Sequence, residues 1–309
     1  MTIEKTARRK DFLKRSLYEF PSARTAFKAY LRSLDFKPGE KVFLPAYIGW
    51  SAREGSGVFD PVIESGVDYG FYPLDRNLRI RLDLLEPLLE ANNVKLFVVI
   101  HYFGYVDPHY ERLTDLLRRR NIIMLEDEAH ALFTDFVAGI SGRRGDAAIF
   151  SLHKMLPLDA GGILLMNGRE DDRFPQTPTI GKFFDYDYFE IARRRRENAE
   201  RISQLLAPYR SEIEPLRPEA AFGEVPQTFP VVLHSAPRDK LYEKMNEAGF
   251  GVVSLYHTMI SQISPDEFPD AHRLSQRILN LPVHQDVEPE QIDAMIETLL
   301  ATIRGLQNF

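Results

Sequence analysis

The strongest constraint on this chain is a series of short, wholly apolar runs separated by stretches with helical periodicity. Lys41-Val42-Phe43-Leu44-Pro45 reads as a strand stopped by proline, and further runs follow at 96–100, 122–125, 147–150 and 163–166. A run with no polar alternation belongs to a strand covered on both faces. Between the runs lie helices with legible ends. Ser22 can cap a helix that carries Phe27, Tyr30, Leu31 and Leu34 at core spacing. Asp107 before Pro108 predicts an N-cap with proline at the first helical position, and Leu113, Leu116 and Leu117 supply the inner face. Strands alternating with helices predict an α/β fold with a mostly parallel sheet. Such sheets gather ligands at the carboxyl ends of their strands, so the residues just after each run are the candidates for chemistry.

The texture changes near Gly168, where Pro175, Pro178 and Gly181 break the periodicity. A charged helix over 187–206 follows, with helices near 237–248, 271–279 and 288–304 and a strand-like run at 229–233. This predicts a large domain over 1–185, then a long connecting helix and a small C-terminal α/β domain over 186–309. Arg193–196 lie among Glu190, Glu197 and Glu200, which reads as a solvated face or an ion-paired interface. A hydrophobic share of 44% over 309 residues supports a sizeable core. The balance of 39 basic against 45 acidic residues, −6 in all, argues against a general nucleic-acid binder. The absence of cysteine excludes disulfides, Fe–S clusters, thiolate zinc sites and a cysteine nucleophile. No stretch of about 18 apolar residues and no apolar signal core occurs, so a soluble, cytoplasmic protein without a membrane partner is expected.

Three strand ends carry chemistry. His101-Tyr102-Phe103-Gly104 follows the second run, and Glu126-Asp127-Glu128-Ala129-His130 follows the third. Ser151-Leu152-His153-Lys154 follows the fourth, with Gly161-Gly162 leading into the fifth. With Gly145-Asp146-Ala147-Ala148, Ser22-Ala23-Arg24-Thr25-Ala26 and Leu281-Pro282-Val283-His284, this ordered set resembles the DegT/DnrJ/EryC1/StrS family of sugar aminotransferases, which are fold-type I pyridoxal-phosphate enzymes. The matches run in family order from about residue 20 to 300. Two departures stand out. Serine and lysine are three residues apart rather than about five, and the family's Asn-x-Arg segment is not evident around Phe183-Phe184-Asp185-Tyr186.

The resemblance implies pyridoxal 5′-phosphate as cofactor, a homodimer with shared sites, and amino transfer from glutamate or glutamine to a keto-sugar that is nucleotide-linked. It makes Lys154 the Schiff-base lysine and Asp127 the partner of the ring nitrogen. It places His101, His130 and Ser151 beside the cofactor and Ser22, Ala23 and Arg24 at its phosphate.

Each role has a physical counterpart in the residue type. A lysine that bonds an aldehyde must be neutral part of the time, which burial promotes. A carboxylate on a pyridine nitrogen makes a charge-assisted bond of roughly 1.5–3 kcal/mol. A helix N-terminus favours an anion. An aromatic ring should cover the cofactor, and Tyr47 and Trp50, just past Pro45, are the candidates, with Trp50 favoured.

Other readings keep the cofactor with a dehydratase or non-sugar reaction, or keep the fold without catalysis. A metal-dependent hydrolase built on His101, His109, Asp127, His130 or His153 lacks a tight His-x-x-x-His pair, and no metal is expected.

Overall fold

All five apolar runs are strands, and two more flank them, in the computed structural model, which describes residues 15–168, 170–174, 183, 185–217 and 220–307. In chain order the strands are β1 (Arg15–Phe20), β2 (Lys41–Pro45), β3 (Asp68–Tyr72), β4 (Val94–Ile100), β5 (Ile123–Asp127), β6 (Ala147–Ser151) and β7 (Gly162–Asn167). They form one sheet in the order β1-β7-β6-β5-β4-β2-β3. The pairs from β3 through β6 are parallel, whereas β7 runs antiparallel to both β6 and β1. The helices α1 (Ala23–Ser33), α2 (Phe59–Glu64), α3 (Leu82–Ala91) and α4 (Tyr110–Arg119) connect them. The two unexpected strands are the edges of the sheet. Arg15-Ser16-Leu17-Tyr18-Glu19-Phe20 and Asp68-Tyr69-Gly70-Phe71-Tyr72 mix charges or glycine with apolar residues and are only half-buried, as edge strands can be.

The start of α4 differs from the expected one. The helix begins at Tyr110, and Asp107 acts before it: Oδ1 accepts from the His109 N–H at 2.6 Å and Oδ2 from Ile80 N–H at 2.7 Å. The carboxylate therefore ties two segments together instead of capping the helix.

The rest of the chain comprises α5 (Tyr188–Leu206), β8 (Ile213–Pro215), β9 (Thr228–Leu233), α6 (Arg238–Glu247), α7 (Pro269–Ser275), β10 (Ile278–Pro282) and α8 (Pro289–Gln307). Its three strands form a separate antiparallel sheet in the order β10-β9-β8. Ile202 and Leu206 of α5 share a core with Val231, Leu241, Leu281, Ile292 and Leu299. The helix expected to reach residue 279 stops at Ser275, because Ile278 and Leu279 pair with Val232 and Val231 of β9 and bury completely. Strand pairing here outweighs a local apolar spacing that suits either state. Ile260, Ile263, Phe268 and Leu274 pack on the core of the seven-stranded sheet, so the C-terminal half reaches back across the site. Pro175, Pro178 and Gly181 lie outside the described residues. No helix among the described residues is long and apolar enough to cross a membrane.

The four arginines of α5 divide into two pairs. Arg193 bonds Glu190 and Glu197, and Arg194 reaches Glu288 at 3.1 Å, as an ion-paired face predicts. Arg195 is buried, lies over the Phe133 ring and donates to the Gln227 carbonyl at 3.1 Å, while Arg196 donates to that of Glu224 at 3.0 Å. These two fasten a strap of chain that holds the segment after β4. Gln227 N–H donates to Phe103 O at 2.8 Å, and a Cβ on Gly104, whose φ is +92°, would lie 2.2 Å from Val225 O. Gly104→Ala is therefore expected to lose at least about 2 kcal/mol of stability in urea unfolding, from backbone strain and overlap together.

Candidate active site

Gly162 explains how two distant segments meet. It pairs with Phe20 of β1 on one side and with Ser151 of β6 on the other. The chain therefore leaves β1 into α1, and leaves β6 into the turn carrying Lys154, at adjacent points on one sheet edge. The approach is close: a Cβ at residue 162 would sit 2.1 Å from the Ser22 carbonyl carbon and 2.3 Å from Ala23 N. Gly162→Val is expected to push α1 away from the sheet, lowering the unfolding midpoint by several degrees in a thermal melt.

Ser22 caps α1 through a reciprocal arrangement with Thr25, its Oγ accepting from Thr25 N–H at 3.2 Å while Thr25 Oγ1 accepts from Ser22 N–H at 3.1 Å. Capping uses the Ser22 Oγ as an acceptor and leaves its O–H able to donate. The N–H groups of Ala23 and Arg24 lack intrahelical partners, as those of any first turn must, and offer an anion two donors and the helix dipole. The Arg24 guanidinium bonds the Glu54 carbonyl and stands 3.6 Å from Asp60.

Lys154, Asp127 and His130 converge beside this helix start. Lys154 Nζ lies 3.4 Å from His130 Nε2. The other imidazole nitrogen, Nδ1, faces the Phe103 N–H at 3.3 Å. A backbone N–H can only donate, so Nδ1 is an acceptor and the ring proton sits on Nε2. His130 is thus neutral, and its Nε2–H donates to the lysine only when the amine carries a lone pair. The electrostatics agree. Burial, then the charge of Lys154, holds His130 well below the ordinary histidine range. The Lys154 side chain is exposed to solvent, yet desolvation around its amine lowers its pKa, aided by Arg24 and opposed by Asp127 and Glu54. Asp127 is 5% exposed and burial raises its carboxyl, which the Ala129 N–H, Lys154 and His101 pull back down. Among the described residues its hydrogen bond is the one from Ala129 N–H to Oδ1 at 2.9 Å, so Oδ2 is available to a donor from the cleft.

His101 sits elsewhere than the resemblance implied. Ile100 is in register with Asp127, so His101, one residue further, turns to the opposite face with Glu126 and Glu128. Its Nε2 lies 2.9 Å from Glu126 and 3.3 Å from Glu128, with all three side chains buried. Glu126 Oε2 also accepts from Tyr110 O–H and from Gly142 N–H at 2.8 Å, and Oε1 from Arg144 and Gly145 N–H at 3.0 and 2.7 Å. Gly145 must be glycine because a Cβ would meet Glu126 Cγ at 3.0 Å and Met124 O at 2.8 Å. The three side chains have the spacing of a metal site, within 4.8 Å of one another, but the Glu126 oxygens are committed to N–H and O–H donors.

Burial alone would lower His101, but Glu128 and Glu126 outweigh it and lift its pKa to about 9; burial raises Glu128 itself, so Glu126, which His101 holds low, is the carboxylate paired with it. A folded value above the ordinary one, near 6.5, means that the pair stabilises the fold fully below the ordinary value and less as pH rises through 9. Urea unfolding is expected to show stability falling between pH 7 and 9.5, with a smaller fall in His101→Gln.

The aromatic candidates separate. Tyr47 is buried, its ring 5.7 Å from Tyr102 and 5.2 Å from Tyr256, whereas Trp50 is 46% exposed and lies on the rim. Tyr256, unmarked by any feature of the sequence, reaches the site from the C-terminal half. Its ring packs on His130 at 6.0 Å and on Phe103 at 5.9 Å, with φ at +61°. The 256–260 segment bonds the 48–50 segment through Trp50 N–H to Thr258 O at 2.9 Å and Ile260 N–H to Ile48 O at 3.0 Å. Ser151 ends β6 with its Oγ 3.4 Å from His153 Nδ1.

An amine, a buried carboxylate with a vacant oxygen, a neutral imidazole and a helix start at the carboxyl edge of a mixed sheet define a fold-type I α/β protein with a lysine-centred cleft. The chain belongs to the DegT/DnrJ/EryC1/StrS aminotransferase family, whose model matches residues 18–174 and 188–300. It is 19% identical to a UDP-4-amino-4,6-dideoxy-N-acetyl-beta-L-altrosamine transaminase of Campylobacter jejuni, over 93% of this chain and 85% of the relative. It is 23% identical to the GDP-perosamine synthase of Caulobacter vibrioides, over 89% and 82%. Its fold superposes on the solved E. coli GDP-4-keto-6-deoxy-D-mannose-3-dehydratase with bound hydrated PLP at a TM-score of 0.72 and 18% identity, covering 94% of this chain and 88% of that one.

Proposed function

We propose that this protein is a pyridoxal-phosphate-dependent aminotransferase that moves an amino group from glutamate or glutamine to a nucleotide-linked keto-sugar. The observation that carries this reading is the contact between Lys154 Nζ and the Nε2–H of a histidine fixed as neutral, beside a buried aspartate. Pyridoxal phosphate fits this donor set: it supplies an aldehyde that condenses with amines and a ring that draws electrons from the bond beside them. Lys154 would hold the aldehyde carbon in the resting enzyme and carry a proton once displaced from it, a task for an amine held below the usual lysine range. Asp127 would hold a proton on the ring nitrogen through Oδ2. The N–H groups of Ala23 and Arg24 would bind the phosphate, and the hydroxyls of Ser22 and Ser151 would add donors. His130, packed between Phe103 and Tyr256, would orient the amine. Of the two candidates Tyr47 and Trp50, Tyr47 would cover the ring together with Tyr256, since Trp50 is the exposed one. Relatives named as a UDP-sugar transaminase and a GDP-perosamine synthase support a nucleotide-linked acceptor. A homodimer is part of the reading, since fold-type I sites are shared between subunits.

The test is a pair of half-reactions. Glutamate alone should bleach the visible band of the lysine-bound cofactor, and a GDP- or UDP-linked keto-sugar should restore it. The second reading, suggested by the name of the E. coli relative, is a dehydratase. It predicts consumption of the keto-sugar with loss of water and no amino-sugar product.

A further inference from the structure

The charged cluster on the hidden face of β5 is not used by the mechanism above, although it is built with unusual care. Five donors converge on Glu126, and two glycines make room for the 141–145 loop that supplies three of them. Asp127 lies between Glu126 and Glu128 in the chain, and the backbone N–H of His101 donates to the Asp127 carbonyl at 3.1 Å. The backbone carrying the cleft carboxylate is therefore gripped from behind by the residue whose side chain bonds Glu126 and stands 3.3 Å from Glu128.

We propose that His101 is a positioning residue for Asp127, fixing the strand end that bears the carboxylate and placing a positive charge behind it. This rests on the aminotransferase reading for its purpose but not for its geometry. Groups facing His101 are Glu126 and Glu128 of β5, Tyr110 of α4, whose ring lies edge-on at 5.3 Å, and Asp107 before that helix. Facing Asp127 from the cleft are Lys154 and Tyr256, with His130 beyond. His130 is neutral, so in the cofactor-free protein Lys154 and His101 are the cations that offset the burial of Asp127, His101 from behind the strand. Without it, Asp127 would face the negative charge of Glu126 across the strand.

The experiment is a carbon-13 NMR titration of the Asp127 carboxyl in the cofactor-free protein, assigned with Asp127→Asn, in the wild type, His101→Gln and Tyr110→Phe. Tyr110→Phe removes one donor to Glu126 and leaves the imidazole charge in place. His101→Gln is expected to move the Asp127 midpoint up by roughly one pH unit, and Tyr110→Phe to leave it unchanged. In reconstituted protein, His101→Gln should weaken cofactor binding about tenfold between pH 6 and 8, with the gap closing above pH 9, where the wild-type imidazole loses its own charge. An unmoved Asp127 midpoint in a folded His101→Gln, or an equal loss of binding at every pH, overturns the proposal. Failure of the wild type to take up cofactor would overturn the aminotransferase reading instead, and the NMR titration would still decide the role of His101.

Discussion

Lys154→Ala is expected to lower amino-group transfer by at least about 10³-fold, because one side chain supplies both the covalent anchor and the proton carrier. The visible band of the lysine-bound cofactor should vanish, while cofactor held by Asp127 and the start of α1 should still be detectable by equilibrium dialysis. Stability should change little. The Lys154 side chain is exposed to solvent, and among the described residues its contact is a long one to His130 rather than an ion pair. An absorption spectrum, a single-turnover assay and a thermal melt check the three parts. Retention of the band in this variant would move the anchor to another amine.

Asp127→Asn should separate function from stability. The carboxyl is held above the ordinary aspartate range by burial, so at neutral pH the fold bears an unfavourable charge there. Working through the sign, an acid whose folded value exceeds its unfolded value loses stability as pH rises through that interval, and asparagine removes the loss. The variant keeps an acceptor for the Ala129 N–H, so its cofactor-free form should melt at or above the wild-type temperature near neutral pH. Cofactor affinity should fall roughly 10- to 100-fold, the equivalent of a charge-assisted bond of about 1.5–3 kcal/mol. Turnover should fall further, because the ring nitrogen loses the anion that keeps it protonated. Such an exchange of stability for activity is common at active sites. Urea unfolding of the cofactor-free protein and a cofactor titration measure the two sides independently.

Much of this arrangement was legible in the chain because each strand end announces itself. The apolar runs stop at Leu125 and Phe150, just before Asp127 and Ser151, and Gly162 begins the strand that brings α1 and Lys154 together. Pairing was not legible. Whether His101 faces Asp127 or Glu126 depends on the register of β4 against β5, a one-residue matter that no local pattern records. The edge strands β1 and β3 escaped notice because half-buried edges carry mixed residues. Tyr256 is far from the other site residues in sequence, and its arrival depends on the bonds between the 256–260 and 48–50 segments. Trp50 was favoured by its distance past a proline, yet Tyr47 points inward while Trp50 stays on the rim. Arg195 and Arg196 read as part of a charged face, but only the three-dimensional path of the 223–227 strap gives them carbonyls to hold.

The central claim is that one amine, that of Lys154, bonds vitamin B6 aldehyde beside Asp127. Borohydride reduction of the reconstituted protein, followed by peptide mass mapping, tests it most directly. The expected result is a single pyridoxyl-modified peptide carrying the label on Lys154. A label on another lysine, or none after full reconstitution, would contradict it.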